Sequence, residues 1–309
     1  MLVNTNPKAL LGSLLLLLLL PLVSSAPQSN CTSCAPNPLA SIYPNNATGT
    51  INSTTAVLLV PIAHARALLP AHLAPLLLPH AWTRFSIPPN QYPLVVETGI
   101  DHDIRFQGIN AVADFSSLHF TFPFIGLLGD NATCFRYTSY IYLPATVPLA
   151  VSGAQAYGEN VLPATFDPAD AAYRRTSSGS ISQKIYSGQN SQALGQPPAA
   201  RTLFAPALSK RDQFSPAFYR NVTNQPIFGN DTTVCDNMIR FWNTSVSQGE
   251  YEPQDLYGEV ELGPPLVGGR DRVWRGVKAV GVTTAFLENN YVPCVGLRGY
   301  KGTGSGDSG

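Results

Sequence analysis

The chain has 309 residues, with 19 Lys+Arg set against 19 Asp+Glu and only 12% charged residues. Charge that sparse, balanced and dispersed forms no basic patch and argues against nucleic acid as a partner. The length is enough to bury a sizeable core in one large domain or two small ones.

The N-terminus opens with Lys8, then an apolar stretch from Ala9 to Val23 that includes leucine at every position from Leu14 to Leu20. Ser24 and Ala26 supply the small residues of a cleavage site, so residues 1–26 are expected to be a secretory signal peptide. The stretch is shorter than the roughly 20 residues a spanning helix needs, and no second long apolar run follows, so no membrane span is expected. Cleavage removes Lys8 and no acid, leaving 18 Lys+Arg against 19 Asp+Glu.

Residues 27–54 are rich in Pro, Ser, Asn and Thr and read as an irregular, glycosylated leader. Seven N-x-S/T sequons follow the signal, at Asn30, Asn46, Asn52, Asn131, Asn221, Asn230 and Asn243. Together they point to a secreted glycoprotein, and each one used must lie on the surface. Five cysteines, Cys31, Cys34, Cys134, Cys235 and Cys294, are disulfide candidates in an oxidising compartment. An odd number leaves at least one thiol free or paired between chains, and the pairing stays open. Cys31-Thr-Ser-Cys34 has C-x-x-C spacing. With no second such pair nearby, a structural disulfide is favoured over redox or zinc work.

Order is expected to begin at Thr55-Ala-Val-Leu-Leu-Val-Pro61, an apolar strand, followed by a short helix from Ala63 stopped at Pro70. Strand-like runs recur at 92–96, 104–115, 118–124, 135–143, 179–185, 238–246, 256–262 and 273–285, punctuated by Gly, Pro, Asn and Asp. In Phe115-Ser-Ser-Leu-His-Phe-Thr-Phe-Pro123, Leu118, Phe120 and Phe122 share one face, and Ser117, His119 and Thr121 the other. Residues 187–236, with five prolines and two sequons, read as a surface excursion or lid within a domain spanning 55–301. The Gly/Ser-rich end, 302–309, reads as a disordered tail.

The usual nucleophile-elbow, zincin, P-loop and dinucleotide fingerprints are missing. The five histidines are scattered, and Asp101-His-Asp103 reads as a polar turn rather than a metal site. No metal or cofactor is expected.

Leu59-Val-Pro-Ile-Ala-His-Ala-Arg-Ala-Leu-Leu-Pro70 resembles the opening of the acetoacetate decarboxylase family. Phe115 to Pro123, Gly126 and the run 135–143 resemble its central strand pair. Ala150-Val-Ser-Gly-Ala-Gln-Ala-Tyr-Gly158 resembles its glycine segment, with Gly153 and Gly158 at the two glycine positions. The likeness holds over residues 55–165. It implies a β-rich α+β fold, an acetoacetate-decarboxylase-like antiparallel β-barrel with a few short helices, here in a secreted, fungal-type member.

The departures bear on chemistry. The family's two lysines, one forming a Schiff base and the other depressing its pKa, fall by spacing at Val161 and Leu162, which form no imine. The family's acid falls at Ser117 and its early arginine near Leu59. The remaining lysines after the signal are Lys184, Lys210, Lys278 and Lys301. Two readings follow. In one, an enzyme of altered chemistry acts on a keto or polyketide-like small molecule, with Ser117, His119, Tyr157 and Glu159 as catalytic candidates. In the other, the substitutions leave an apolar pocket that binds small hydrophobic ligands without catalysis. Either way the partner is a small molecule, and the oligomeric state stays open.

Overall fold

The computed structural model describes residues 34–188, 193–209, 213–269 and 272–302. The signal segment, Asn30, Cys31, Lys210 and the tail beyond 302 lie outside them. The elements in chain order are β1 (Ala47–Pro61), α1 (Ile62–Leu68), α2 (Pro79–Thr83), β2 (Gln91–Phe106), β3 (Ile109–Val112), β4 (Phe115–Ile125) and β5 (Phe135–Leu143). Then come α3 (Pro148–Ala156), β6 (Val161–Asp167), β7 (Arg174–Arg175), β8 (Ile181–Ser187), β9 (Ala200–Pro206) and α4 (Pro216–Thr223). The last are β10 (Ile227–Phe228), β11 (Val234–Phe241), β12 (Gln254–Leu262) and β13 (Arg272–Pro293).

Proline sets the helix boundaries. Pro79, Pro148 and Pro216 stand in the first turns of α2, α3 and α4, where a missing N–H costs nothing. The Ser215 side chain caps α4 by accepting from the Phe218 N–H. Leu69 is extended because Pro70 follows it, which ends α1.

The strands form one sheet that closes on itself. An arc runs β13–β1–β2–β4–β5. From the far edges of β5 and β13 the sheet forks. One closure is short, through β10 and β11. The other is long, through β6, β8, β9 and β12. The expected β-rich α+β architecture is therefore present as a ring of strands. Its pairing is not wholly antiparallel: β5 runs parallel to both β6 and β10. β13 can serve two closures and the arc because it is 22 residues long and pairs with β12, β1 and β11 along its length.

Two boundaries differ from the sequence expectation. β1 begins at Ala47, inside the expected leader, because Thr48, Thr50 and Thr54 pack as buried β-branched residues between β2 and β13. The 187–236 segment is no lid. It supplies β9 and β10 to the ring and buries Phe218, Tyr219 and Val222 of α4 in the core. Two of its five prolines stand at a strand end (Pro206) and a helix start (Pro216), where they break nothing. Asp101-His-Asp103 is also not a turn: it continues β2, and the reversal comes at Gln107 and Gly108, both at positive φ.

The expected alternation of β4 holds. Phe120 and Phe122 are buried in an aromatic core with Trp82, Tyr92, Phe124 and Phe218. Ring pairs such as Trp82–Tyr92, edge-on at 5.3 Å, add ~1 kcal/mol each beyond area burial. Cys235 and Cys294 form a disulfide joining the start of β11 to the end of β13, while Cys134 is a free thiol. Among the described residues no helix is long and apolar enough to cross a membrane.

Candidate functional site

Glu97 on β2 accepts a 2.5 Å hydrogen bond from Arg240 Nη2 on β11. The two strands are not neighbours, so the contact crosses the inside of the ring. Arg136 on β5 brings its Nη1 to 3.6 Å from the other Glu97 oxygen. All three side chains are at most 4% exposed. Burial alone raises a carboxyl pKa. Here Arg240 and Arg136, helped by His119, outweigh burial and hold Glu97 below the usual range, so it stays ionised. Burial lowers Arg136 to about 10, which leaves it charged at neutral pH.

His119 stands directly opposite Glu97 across the β2–β4 pair. Burial lowers its pKa to about 4 against the pull of Glu97, so the imidazole is neutral. The residue as a whole is half-buried. Ser117 lies two residues earlier on the same face, buried opposite Gly99.

A second group of acids adjoins Arg136 and Arg240. Burial raises Glu159 to about 7, against the Thr138 hydroxyl and Arg136. Burial, with Glu288 and Glu159 nearby, pushes Asp236 well above the carboxylate range. Glu288 also rises through burial. Asp101 reaches about 8 through burial, against the pull of Arg240. The interior thus holds two guanidinium groups, one firmly ionised carboxylate and several carboxyls that keep protons toward neutral pH. Arg136 Nε and Arg240 Nε have no hydrogen-bond partner, and such buried orphan donors call for an explanation.

Glu159 reaches this place through a backbone crossing. Gly158 has φ +78°, and its carbonyl accepts from Asn230 N at 2.7 Å, while Gly229 N donates to Tyr157 O at 2.8 Å. A Cβ on Gly229 would come within 2.2 Å of the Gly158 carbonyl carbon. The pair needs glycine for close approach. Tyr157 is buried beside it, stacked on Tyr291 at 5.3 Å and donating to Asn290 Oδ1. Its hydroxyl pKa is raised by burial.

Of the sequence candidates, Ser117 and His119 share one face, and Glu159 joins the same electrostatic cluster through Arg136. Val161 is paired to Ile141, and Ile141 to His119, so one row runs Val280–Thr55–Glu97–His119–Ile141–Val161. Val161 packs toward α3, and Leu162 toward the main core. The substitutions at Val161, Leu162, Ser117 and Leu59 do not leave an apolar interior, because other strands supply its charge. Glu97, Arg136, Arg240, Asp236 and Glu288 were missed. Their signal was a lone charge inside an apolar strand run, as in Phe135-Arg-Tyr137 and Ile239-Arg-Phe241, where strand burial leaves no route to solvent. Among the described lysines, Lys184 is exposed and Lys278 lies 5.4 Å over the Phe214 ring.

Asn131, Asn230 and Asn243 are exposed and Asn46 half-buried. Asn52 and Asn221 are buried, and Asn221 Nδ2 donates to Lys301 O, so neither has room for a glycan. Cys34, His102 and Asp114 place ligand-type atoms within 4.8 Å of one another. The Cys34 sulfur is committed to a disulfide, so it is not a thiolate ligand.

Fold and site together describe a β-rich α+β protein with a charged, proton-holding interior. No family model and no curated protein matches the chain. Among solved structures it is similar to the enduracididine biosynthesis enzyme MppR with HEPES buffer bound, at 13% identity and TM-score 0.46, covering 81% of this chain and 88% of that one. It is similar to the same enzyme complexed with pyruvate, at 13% identity and TM-score 0.46, covering 87% and 95%. It is also similar to an acetoacetate decarboxylase-like enzyme from Sphingomonas wittichii RW1, at 10% identity and TM-score 0.44, covering 81% and 92%. At these identities the likeness concerns the fold alone.

Proposed function

We propose that the chain is a secreted, acetoacetate-decarboxylase-like protein whose interior takes a small oxo acid and moves protons on it without an imine. The observation that carries this is Glu97 held ionised between Arg136 and Arg240 inside the ring, with protonated carboxyls beyond them. Two guanidinium groups against one ionised carboxylate leave positive charge for one substrate carboxylate. A carboxyl near pH 7, as at Glu159, suits proton transfer at the carbon beside a carbonyl. Neutral His119 donates a hydrogen bond to the carbonyl oxygen through its ring N–H. The residues at the family's lysine positions, Val161 and Leu162, supply no amine.

The test uses the full chain with pyruvate and with acetoacetate in deuterated water. Catalysed exchange of the protons next to the carbonyl, followed by NMR, is expected, and borohydride is expected to trap no adduct. Absence of exchange or binding for every oxo acid tried sinks the reading, and a borohydride-trapped lysine sinks its imine-free chemistry.

Secretion and glycosylation belong to the same proposal. They rest on the pattern of residues 1–26, the exposed sequons and the Cys235–Cys294 disulfide. Expression of the precursor in a eukaryotic secretory host should yield medium-borne protein starting near Pro27; retention of an uncleaved chain in the cells refutes it.

A further inference from the structure

The sheet has a second interior that the oxo-acid chemistry does not use. Glu97 points from β2 toward Arg240 on the short closure. Side chains alternate along a strand, so Val96 points the other way, and it shares one core with Ile185, Phe204 and Leu256 of the long closure. That core turns polar at one end. There a cleft of about 360 Å³ opens between β1, β8, β12 and β13, flanked by residues 171–175 and 251–252. Its volume suits a small molecule.

Register builds the floor of this cleft. Gln254 pairs with Gly281, Thr283 lies two residues further along β13, and Asn52 pairs with Thr283, so these residues face one side. Asn52 and Thr283 are buried. Ile181 of β8 also lines the cleft, and Gln183, two residues on, projects to the same side of the sheet. Gln183 is 1% exposed, and neither its amide oxygen nor its amide nitrogen has a hydrogen-bond partner. A buried amide left in that state is costly, and a group that both donates and accepts would offset the cost. At the outer edge the Arg175 guanidinium lies 5.3 Å over the Tyr173 ring. It is held there by donating from Nη1 to Gly179 O at 3.4 Å and from Nη2 to the Tyr173 hydroxyl at 3.3 Å. Ser116 Oγ anchors the segment leading to Tyr173 by donating to Ala169 O at 3.3 Å. Glu252 is exposed on the other flank, beside half-buried Tyr251.

We propose that this cleft binds a neutral monosaccharide, at a site separate from the charged interior. Arg175 and Glu252 balance one another, so the cleft carries no net charge for an ionic ligand. Its buried groups are amides and a hydroxyl, and a carboxylate or ammonium set among them would be desolvated without a counter-charge. A sugar hydroxyl both donates and accepts, which matches the amides of Asn52, Gln183 and Gln254. Tyr173 and Tyr251 supply aromatic surface for the C–H face of the sugar ring. The site takes no part in the oxo-acid reading, so either can fail alone.

Saturation-transfer NMR on the full chain tests this, with glucose, mannose, galactose and N-acetylglucosamine as neutral probes and pyruvate and glycine as charged ones. At least one of the sugars should bind with a millimolar Kd, and neither pyruvate nor glycine should displace it. Gln183→Leu should weaken that sugar about tenfold, because the amide that pairs with it is gone. The same change should raise the Tm of the free protein, because an apolar group of similar size replaces the orphan amide. Arg175→Ala, at an exposed position, serves as the second variant if Gln183→Leu unfolds, and should also weaken the sugar. Absence of binding by every sugar overturns the proposal. So does displacement of the sugar by pyruvate or glycine, or a folded Gln183→Leu or Arg175→Ala variant that binds it at the parent affinity.

Discussion

Glu97 and Arg240 meet at 2.5 Å although three strands separate β2 from β11 along one side of the ring and two along the other. The pair ties opposite walls together through the interior. Its stabilising value lies less in attraction than in what its loss exposes. Glu97→Ala leaves Arg136 and Arg240 buried without a counter-charge, and is expected to cost about 3–5 kcal/mol in urea unfolding. A cost near zero would show that water already reaches both guanidinium groups.

Stability should fall as pH rises. Glu159 sits near 4.5 in the unfolded chain and about 7 in the folded one, so between those values the folded state holds the extra proton. Stability is therefore greatest below about pH 4.5 as far as this group is concerned, and declines until about 7. Asp101, raised to about 8, extends the decline upward. Glu97 works oppositely, adding stability above its unfolded value and losing it as pH falls through its lowered folded value. Glu159→Gln should flatten the slope between pH 5 and 7 by about 3 kcal/mol, read from urea midpoints.

Val161→Lys places an amine on the row that carries His119 and Glu97. The positive charge of Arg136 and Arg240 in the same interior should lower that amine's pKa. The variant is expected to be trapped by borohydride with acetoacetate at about one adduct per chain, on the one-lysine logic of imine catalysis. Failure of a folded variant to trap would mean that position 161 does not face the charged cluster.

The crossing of Gly158 and Gly229 admits no side chain. Gly229→Ala brings a Cβ to 2.2 Å from backbone that cannot swing aside. A loss of about 3 kcal/mol or more is expected, together with a fall in proton exchange on the oxo acid, because Glu159 is displaced. Differential scanning calorimetry and the NMR exchange assay read the two effects.

The Cys235–Cys294 disulfide closes a loop with sequence separation 59. Cys294→Ser is expected to cost about 4 kcal/mol on the chain-entropy scale, checked by guanidinium unfolding. Glycopeptide mapping is expected to find glycans at Asn131, Asn230 or Asn243 and none at Asn52 or Asn221, whose amides are buried.

Much of the fold was legible because its strands are apolar runs broken by turn residues. β5 was read at its observed bounds, and the faces of β4 were assigned correctly. The start of β1 was not legible, because Thr48 to Thr54 look polar in a list of residues and become core only when β2 and β13 cover them. β9 and β10 were hidden for a similar reason: short strands among prolines carry little period, and their partners lie far away in the chain. The site divided in the same way. His119 and Glu159 were candidates raised with a motif likeness, and both adjoin Arg136. Arg136, Arg240 and Glu97 come from separate strands, and only ring closure turns three isolated charges into one cluster.

β5 and β13 each take part in both closures of the ring. Neither closure has a wall of its own on those sides, so neither is a module. A fragment cut anywhere between β5 and β13 takes part of one enclosure with it and leaves the other open along an edge. The chain should therefore melt as one cooperative unit, and its two halves should not fold when expressed apart.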